Sequence, residues 1–143
     1  MNSRLIKGVL TVTALSFAGL SQADTSVIVE VSGIDKETGK LFLNVFESKK
    51  AWLKKPMLSD SVVVDGDSAT FEVQLSPGQY AFHVFHDVDD DGKMKSNFIG
   101  IPKEPTAVSN DAKGRFGPPK FKDAAVTIGD EAVTVPMNLV SID

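Results

Sequence analysis

Three carboxylates stand at every second position in one short stretch of the chain, and a glycine follows them at once. They are Asp87, Asp89 and Asp91, with Gly92 next. Calcium prefers six to eight hard oxygen ligands, and alternate residues of a tight loop can turn their carboxylates towards one point. This spacing is the first half of a calcium-binding loop. The sequence therefore predicts a calcium site in residues 87–92, called the acidic loop below.

The second half of the pattern is incomplete. Lys93 would offer its main-chain carbonyl, but Lys95 stands where an oxygen side chain or a water usually serves, and Phe98 stands where a bidentate glutamate belongs. The missing oxygens would have to come from main chain or side chains farther along: Asn97, Glu104 or Asp111. The alternative is a solvated, aspartate-rich turn, since turns favour Asp and Gly for reasons unrelated to metals.

The two histidines, His83 and His86, lie three residues apart, so a strand places them on opposite faces and they cannot jointly hold a metal. His86 could brace the site by donating a ring proton to Asp87 or another loop carboxylate. A hydrolase built from His86, Asp87 and Ser109 is disfavoured, because adjacent residues on a strand point apart. The sequence also lacks a cysteine nucleophile, a serine elbow and a phosphate loop, so we expect no enzyme activity.

The acidic loop follows a stretch, residues 80–86, in which aromatic and aliphatic side chains fill both faces. A strand that is apolar on both faces must be central to a sheet, so the loop is mounted on the best-packed part of the molecule. Other strands are indicated by apolar alternation and turn residues: residues 27–32, 40–46, 61–64, 70–75, 124–128 and 132–139. We expect the last two to form a hairpin through Gly129-Asp130, with Pro136 at a sheet edge or bulge.

Seven or eight short strands with almost no helix predict an all-β fold, an antiparallel β-sandwich of the immunoglobulin-like or transthyretin-like kind. The one helical candidate is residues 48–55, with Ser48 as a cap and Trp52 packing this turn against the sheet. An exposed Trp52 could instead stack on a carbohydrate or another small ligand. Residues 102–122 have little apolar periodicity, and we interpret them as a long ordered loop that folds back against the sandwich.

Residues 1–23 have the pattern of a signal peptide. Arg4 and Lys7 precede about twelve mostly apolar residues, too few for the roughly 20 that span a bilayer, and Ser21-Gln22-Ala23 is a cleavage site. A retained anchor is the alternative. We expect a single domain over residues 24–143 in a bacterial periplasmic or secreted protein. The chain has no cysteine, so this domain must be held together by its core without disulfides.

Cleavage there would leave a formal charge of about −6, against −4 for the whole chain. An acidic chain has no electrostatic reason to bind nucleic acid or anionic lipid, so we expect neither nucleic-acid binding nor membrane insertion after cleavage. A cell-envelope or glycan ligand is the partner that the sequence leaves open.

Residues 80–124 resemble a family of small exported bacterial proteins known as domain-of-unknown-function family 2141. The resemblance is carried by YAFHVFHD at 80–87, the acidic loop with Lys93, GIP at 100–102 and GRFGPP at 114–119. It implies an exported β-sandwich with no established reaction. Family members usually carry an acidic residue where this chain has Lys95, so Lys95 could pair with the carboxylates and replace the ion.

The same resemblance draws attention to three polar residues of the long loop: Glu104, Asn110 and Arg115. They could converge beside Asp87 and His86 as a small polar cleft. The alternative is that they satisfy the main chain of the loop itself.

Overall fold

The computed structural model describes residues 22–141, in which eight β-strands form two packed sheets. The strands are β1 (Thr25–Ser32), β2 (Lys40–Phe46), β3 (Leu58–Val63), β4 (Ala69–Leu75), β5 (Gly78–Asp87), β6 (Thr106–Val108), β7 (Val126–Ile128) and β8 (Val133–Asn138). A 3-10 turn (Ser109–Asp111) and a four-residue helix, α1 (Phe121–Ala124), connect β6 to β7. The predicted all-β sandwich with seven or eight strands is confirmed.

One sheet has three strands in the order β4-β1-β8, and the other has five. In the second sheet β2 lies between β3 and β5, while β6 and β7 both pair with the far side of β5. All pairings are antiparallel except β1 with β8, which is parallel. Because β2 and β5 have partners on both sides, they are the central strands, as their two-sided apolar sequences predict.

Side chains of the two sheets meet in one apolar core. Val27, Val29 and Val31 of β1 are fully buried there, as their alternation predicts. From β5 the even-numbered residues enter this core, including Phe82 and Val84.

The odd-numbered residues of β5 face the opposite side of the sheet, where smaller contacts cover them. Ala81 joins Phe46, Trp52 and Ala124 in a second buried cluster. Phe85 stacks on Phe42 of the neighbouring strand, with ring centroids 5.0 Å apart. A strand covered on both faces in this way is a rigid support for the loop that follows it.

The expected hairpin between the last two strands is wrong. β7 pairs with β5 in one sheet and β8 pairs with β1 in the other, so residues 129–132 carry the chain across the sandwich. The turn residues Gly129-Asp130 are correctly placed, but a turn signal does not specify the partner of the strand that follows. Pro136 does lie on an edge strand, opposite Glu30, where its missing amide donor leaves no ladder bond broken within the sheet.

The predicted signal peptide lies almost entirely outside the described residues. Within residues 22–141, no helix is both long enough and apolar enough to cross a bilayer.

Candidate metal site at the acidic loop

Asp87 ends β5 and its side chain is fully buried. Both of its carboxylate oxygens accept hydrogen bonds from main-chain amides of its own loop: Oδ1 from Asp91 at 3.1 Å and Oδ2 from Gly92 at 2.7 Å. Gly92 has φ +76°, a conformation that costs a glycine little and that folds the loop back over Asp87. The buried carboxylate thus fixes the curvature of the acidic loop.

This curvature brings the three alternate carboxylates together. One carboxylate oxygen from each of Asp87, Asp89 and Asp91 lies within 4.8 Å of the other two. The main chain at Lys93 lies beside these carboxylates, since the Lys93 amide donates a hydrogen bond to Asp91 Oδ1 at 2.9 Å. From residues 22–141 each Asp87 carboxylate oxygen accepts one hydrogen bond, so it keeps acceptor capacity for a cation.

Lys95 provides a positive charge at the same carboxylates. Its Nζ contacts Asp89 Oδ2 directly and lies 3.4 Å from Asp91 Oδ2. The hydrogen bond with Asp89 raises the pKa of Lys95, and the same bond lowers the pKa of the Asp89 carboxyl. All three side chains are solvent-exposed. An ammonium and a divalent ion cannot both occupy this position without strong repulsion.

The turn between β1 and β2 supports the acidic loop from the side, which the sequence reading missed. Thr38 Oγ1 donates to the Val88 carbonyl at 3.4 Å, and Lys40 Nζ lies 3.2 Å from Asp90 Oδ1. Gly39 has φ +74°, and a Cβ there would overlap the Asp87 carbonyl oxygen. Gly39 is recognisable as a turn residue, but its contact with a loop almost 50 residues away is not encoded in any local pattern.

The histidines lie on opposite faces of β5, as predicted, but His86 does not take the expected role. Its Nε2 lies 2.7 Å from the Thr38 carbonyl oxygen, so this nitrogen carries the proton and ties β5 to the β1–β2 turn. The alternation of the strand turns Asp87 away from His86. His83 is buried on the other face, and this burial lowers its pKa to about 4.

Of the more distant candidates, Glu104 lies at the loop and Asn97 is used elsewhere. Glu104 is nearly buried, and its Oε2 accepts from the Lys95 amide at 3.1 Å. Asn97 Oδ1 accepts from the amides of Ile99 and Ile101, at 3.1 and 2.9 Å, which takes up both lone pairs of that oxygen. Glu104 therefore positions Lys95, whereas Asn97 holds a neighbouring turn.

Asn110 and Arg115 do not meet Asp87 and His86 in a cleft. Asn110 Nδ2 donates to the carbonyls of Asp123 and Ala125, at 3.2 and 3.0 Å, so it satisfies the main chain of the long loop. The pairing of Val108 with His83 puts Asn110 about six strand positions, roughly 20 Å, from Asp87. Arg115 is exposed on the same excursion.

The residues of the hydrolase arrangement considered above, His86, Asp87 and Ser109, also do not meet. Ser109 is buried beside Phe82, where its Oγ accepts from the Phe82 amide at 2.9 Å and donates to the Ala124 carbonyl at 2.5 Å. Phe82 is four strand positions from His86, a separation of about 13 Å. Ser109 therefore anchors α1 to the sheet.

Trp52 is packed rather than presented to a ligand. At the start of the predicted turn, the Ser48 hydroxyl accepts a hydrogen bond from the Ala51 amide at 3.3 Å. The Trp52 side chain is buried, with 8% of its surface exposed. Its ring meets Phe46 and Phe121 edge to face, and its Nε1 donates to the Pro119 carbonyl at 2.7 Å. A side chain used in this way offers no stacking surface to a sugar, so the predicted packing role is confirmed.

The fold and the site together define a small β-sandwich protein with an acidic loop at the end of a central strand. Residues 29–136 match the model of a family described as uncharacterized protein conserved in bacteria (DUF2141), and the chain belongs to that family. The expected family is thus confirmed over most of the described fold. No curated protein and no solved structure matches the chain.

Proposed function

We propose that this protein is an exported, non-enzymatic β-sandwich whose acidic loop binds calcium, with Asp87, Asp89 and Asp91 as the anionic ligands. The observation that carries the proposal is the convergence of three carboxylate oxygens within 4.8 Å. Hard oxygens at alternate positions of a tight loop suit calcium, which accepts irregular geometry and completes its shell with main-chain carbonyls and water. The Lys93 carbonyl and water would supply the remaining oxygens.

The Lys95 ammonium competes with calcium for the carboxylates of the acidic loop. Calcium enters only when the ammonium leaves Asp89 and Asp91, and the exposed, flexible lysine can swing into water at little cost. Three carboxylates and one competing lysine support weak binding, with a dissociation constant in the range of about 10⁻⁴–10⁻³ M that extracellular calcium modules have. Such affinity matches an exported protein that meets calcium outside the cytoplasm.

Binding rather than catalysis is supported by how the candidate catalytic groups are used. The His86 ring is bonded to the Thr38 carbonyl, and Ser109 is bonded within the core. Both groups have structural partners at the positions where a hydrolase would need them free.

The thermal unfolding midpoint in excess calcium and in chelator tests the proposal. Calcium at 100 times its dissociation constant stabilises the folded state by about 2.7 kcal/mol, which raises the midpoint by several degrees in a domain of this size. Asp89→Asn/Asp91→Asn should abolish the rise.

The chain offers a matched control in Asp65→Asn/Asp67→Asn, which also removes two exposed carboxylates two positions apart. The control should keep the full rise. Equal midpoints in calcium and chelator for the parent, or the same rise in both double variants, would contradict calcium binding at the acidic loop.

A further inference from the structure

Residues 93–103 form a hairpin that projects from the acidic loop and exposes apolar side chains at its tip. Ser96 pairs with Pro102 in an isolated antiparallel β-bridge, and the Lys103 amide donates a hydrogen bond to the Lys95 carbonyl at 2.8 Å. At the tip Phe98 is 99% exposed and Ile99 is 65% exposed. Met94 and Ile101 on the arms are also exposed. Because Phe98 is almost fully exposed, it does not line a pocket for a small ligand.

Four main-chain amides of this tip are paired within the hairpin, which matters for any move into an apolar phase. The amides of Ile99 and Ile101 donate to Asn97 Oδ1, the Gly100 amide donates to the Asn97 carbonyl at 3.0 Å, and the Asn97 amide donates to the Ile101 carbonyl at 2.8 Å. An unpaired amide costs several kcal/mol in hydrocarbon, and this cost normally keeps loops out of lipid. Here the Asn97 side chain removes this cost for the amides of Ile99 and Ile101.

The charge of the hairpin differs from that of the rest of the protein. Residues 93–103 contain three lysines and no acidic residue, although the whole chain has a net charge of −4. Lys93 and Lys103 are exposed and form no salt bridge with any residue in the range 22–141. Exposed aromatic and aliphatic residues flanked by lysines are typical of segments that lie in an anionic membrane interface.

We propose that the 93–103 hairpin docks on an anionic lipid surface, with Phe98 and Ile99 entering the interface and Lys93 and Lys103 contacting the phosphate headgroups. This revises the expectation drawn from net charge alone, because Lys93 and Lys103 flank the apolar tip and form no salt bridge with an acidic residue in the range 22–141. The proposal is independent of calcium, so it is tested in chelator.

The direct experiment compares Phe98→Trp with Phe116→Trp, each in the chain from Asp24 onward, which contains every strand and helix of the described structure. Phe116 is the matched control, since it is equally exposed on a different loop. Because Trp52 also emits in both variants, the spectrum of the parent chain is subtracted. Vesicles of phosphatidylcholine containing phosphatidylglycerol should then shift the added emission of Phe98→Trp to shorter wavelength and leave that of Phe116→Trp unchanged. No shift at position 98, or equal shifts at both positions, would overturn the proposal.

Vesicle co-sedimentation of unlabelled protein separates the apolar and ionic contributions. Phe98→Ser/Ile99→Ser should lower the partition coefficient more than tenfold, because two large apolar side chains are removed from the interface. Lys93→Gln/Lys103→Gln should lower it about fivefold per lysine on anionic vesicles and have little effect on pure phosphatidylcholine. The surface lysine pair Lys49→Gln/Lys50→Gln is the control and should have no such effect.

Two outcomes would assign the tip to another occupant and refute lipid docking. One is a dimer of the parent chain in sedimentation experiments that Phe98→Ser/Ile99→Ser makes monomeric, in the absence of vesicle binding. The other is retention of the parent by a soluble polyanion such as heparin with no partition to vesicles.

Discussion

Of the three alternate carboxylates of the acidic loop, two differ sharply from the third in their surroundings. Asp87 is buried and holds two main-chain amides, whereas Asp89 and Asp91 are exposed and share Lys95. Asp87 is thus a structural residue with spare acceptor capacity, and the outer pair carries the charge that a cation would neutralise. Because the outer contacts are exposed, they contribute little to stability and are easily exchanged.

A prediction at the scale of single residues concerns His83. Burial lowers its pKa from 6.5 to about 4, so between these values the unfolded chain binds a proton that the folded chain does not. Stability should therefore fall as the pH decreases from about 6.5 to about 4, by about 3 kcal/mol in all, and the effect should level off outside this window.

Urea unfolding of the parent and of His83→Gln across this pH range measures the effect. His86 and every carboxylate are common to both chains, so the difference between the two curves isolates His83. The parent should lose more stability than the variant as the pH falls. Parallel curves would show that His83 becomes protonated in the folded state without a penalty.

At the scale of elements, the acidic loop is positioned by the β1–β2 turn as much as by β5. The turn contributes the Thr38 carbonyl to His86 and the Thr38 hydroxyl to Val88, and Lys40, the first residue of β2, contributes its ammonium to Asp90. The close approach of the two segments requires a residue without a side chain at position 39. The geometry of the candidate site therefore depends on a glycine that touches no ligand.

Gly39→Ala tests this dependence. The new Cβ would overlap the Asp87 carbonyl oxygen, and alanine is also strained at φ +74°, so we expect a loss of about 2 kcal/mol or more in the free energy of unfolding. The control is Gly66→Ala, a turn position where a Cβ meets nothing within 4 Å. It should change the unfolding free energy by less than about 1 kcal/mol. Equal effects in urea unfolding would show that the contact between the two loops does not constrain the site.

At the scale of the whole molecule, local patterns predicted the parts of the fold that local physics determines. The alternation in β1 and the two-sided apolar character of β5 both identified their elements. Residues 48–55, predicted as a short helix, form hydrogen-bonded turns instead, and the α-helix of the described residues is α1. β6 was missed because three residues within a proline-rich segment carry no periodicity. Its pairing with His83–Phe85 completes the sheet nevertheless.

The failures were non-local. The parallel pairing of β1 with β8 joins residues more than 100 positions apart, and the turn residues between β7 and β8 resemble those of a hairpin. The same limit applies to the site: the spacing of Asp87, Asp89 and Asp91 was visible, whereas the contribution of Gly39 depends on how separate segments pack.

The central claim, that Lys95 and calcium use the same carboxylates, is tested most directly by calorimetric titration of calcium into the parent and into Lys95→Met. Lys95 is exposed, so the variant should fold normally. Removing the competing charge should tighten calcium binding at least about tenfold, equivalent to 1.4 kcal/mol, and adding Asp89→Asn/Asp91→Asn to Lys95→Met should abolish it. Calcium binding to neither chain, or equal affinity in both, would contradict the account.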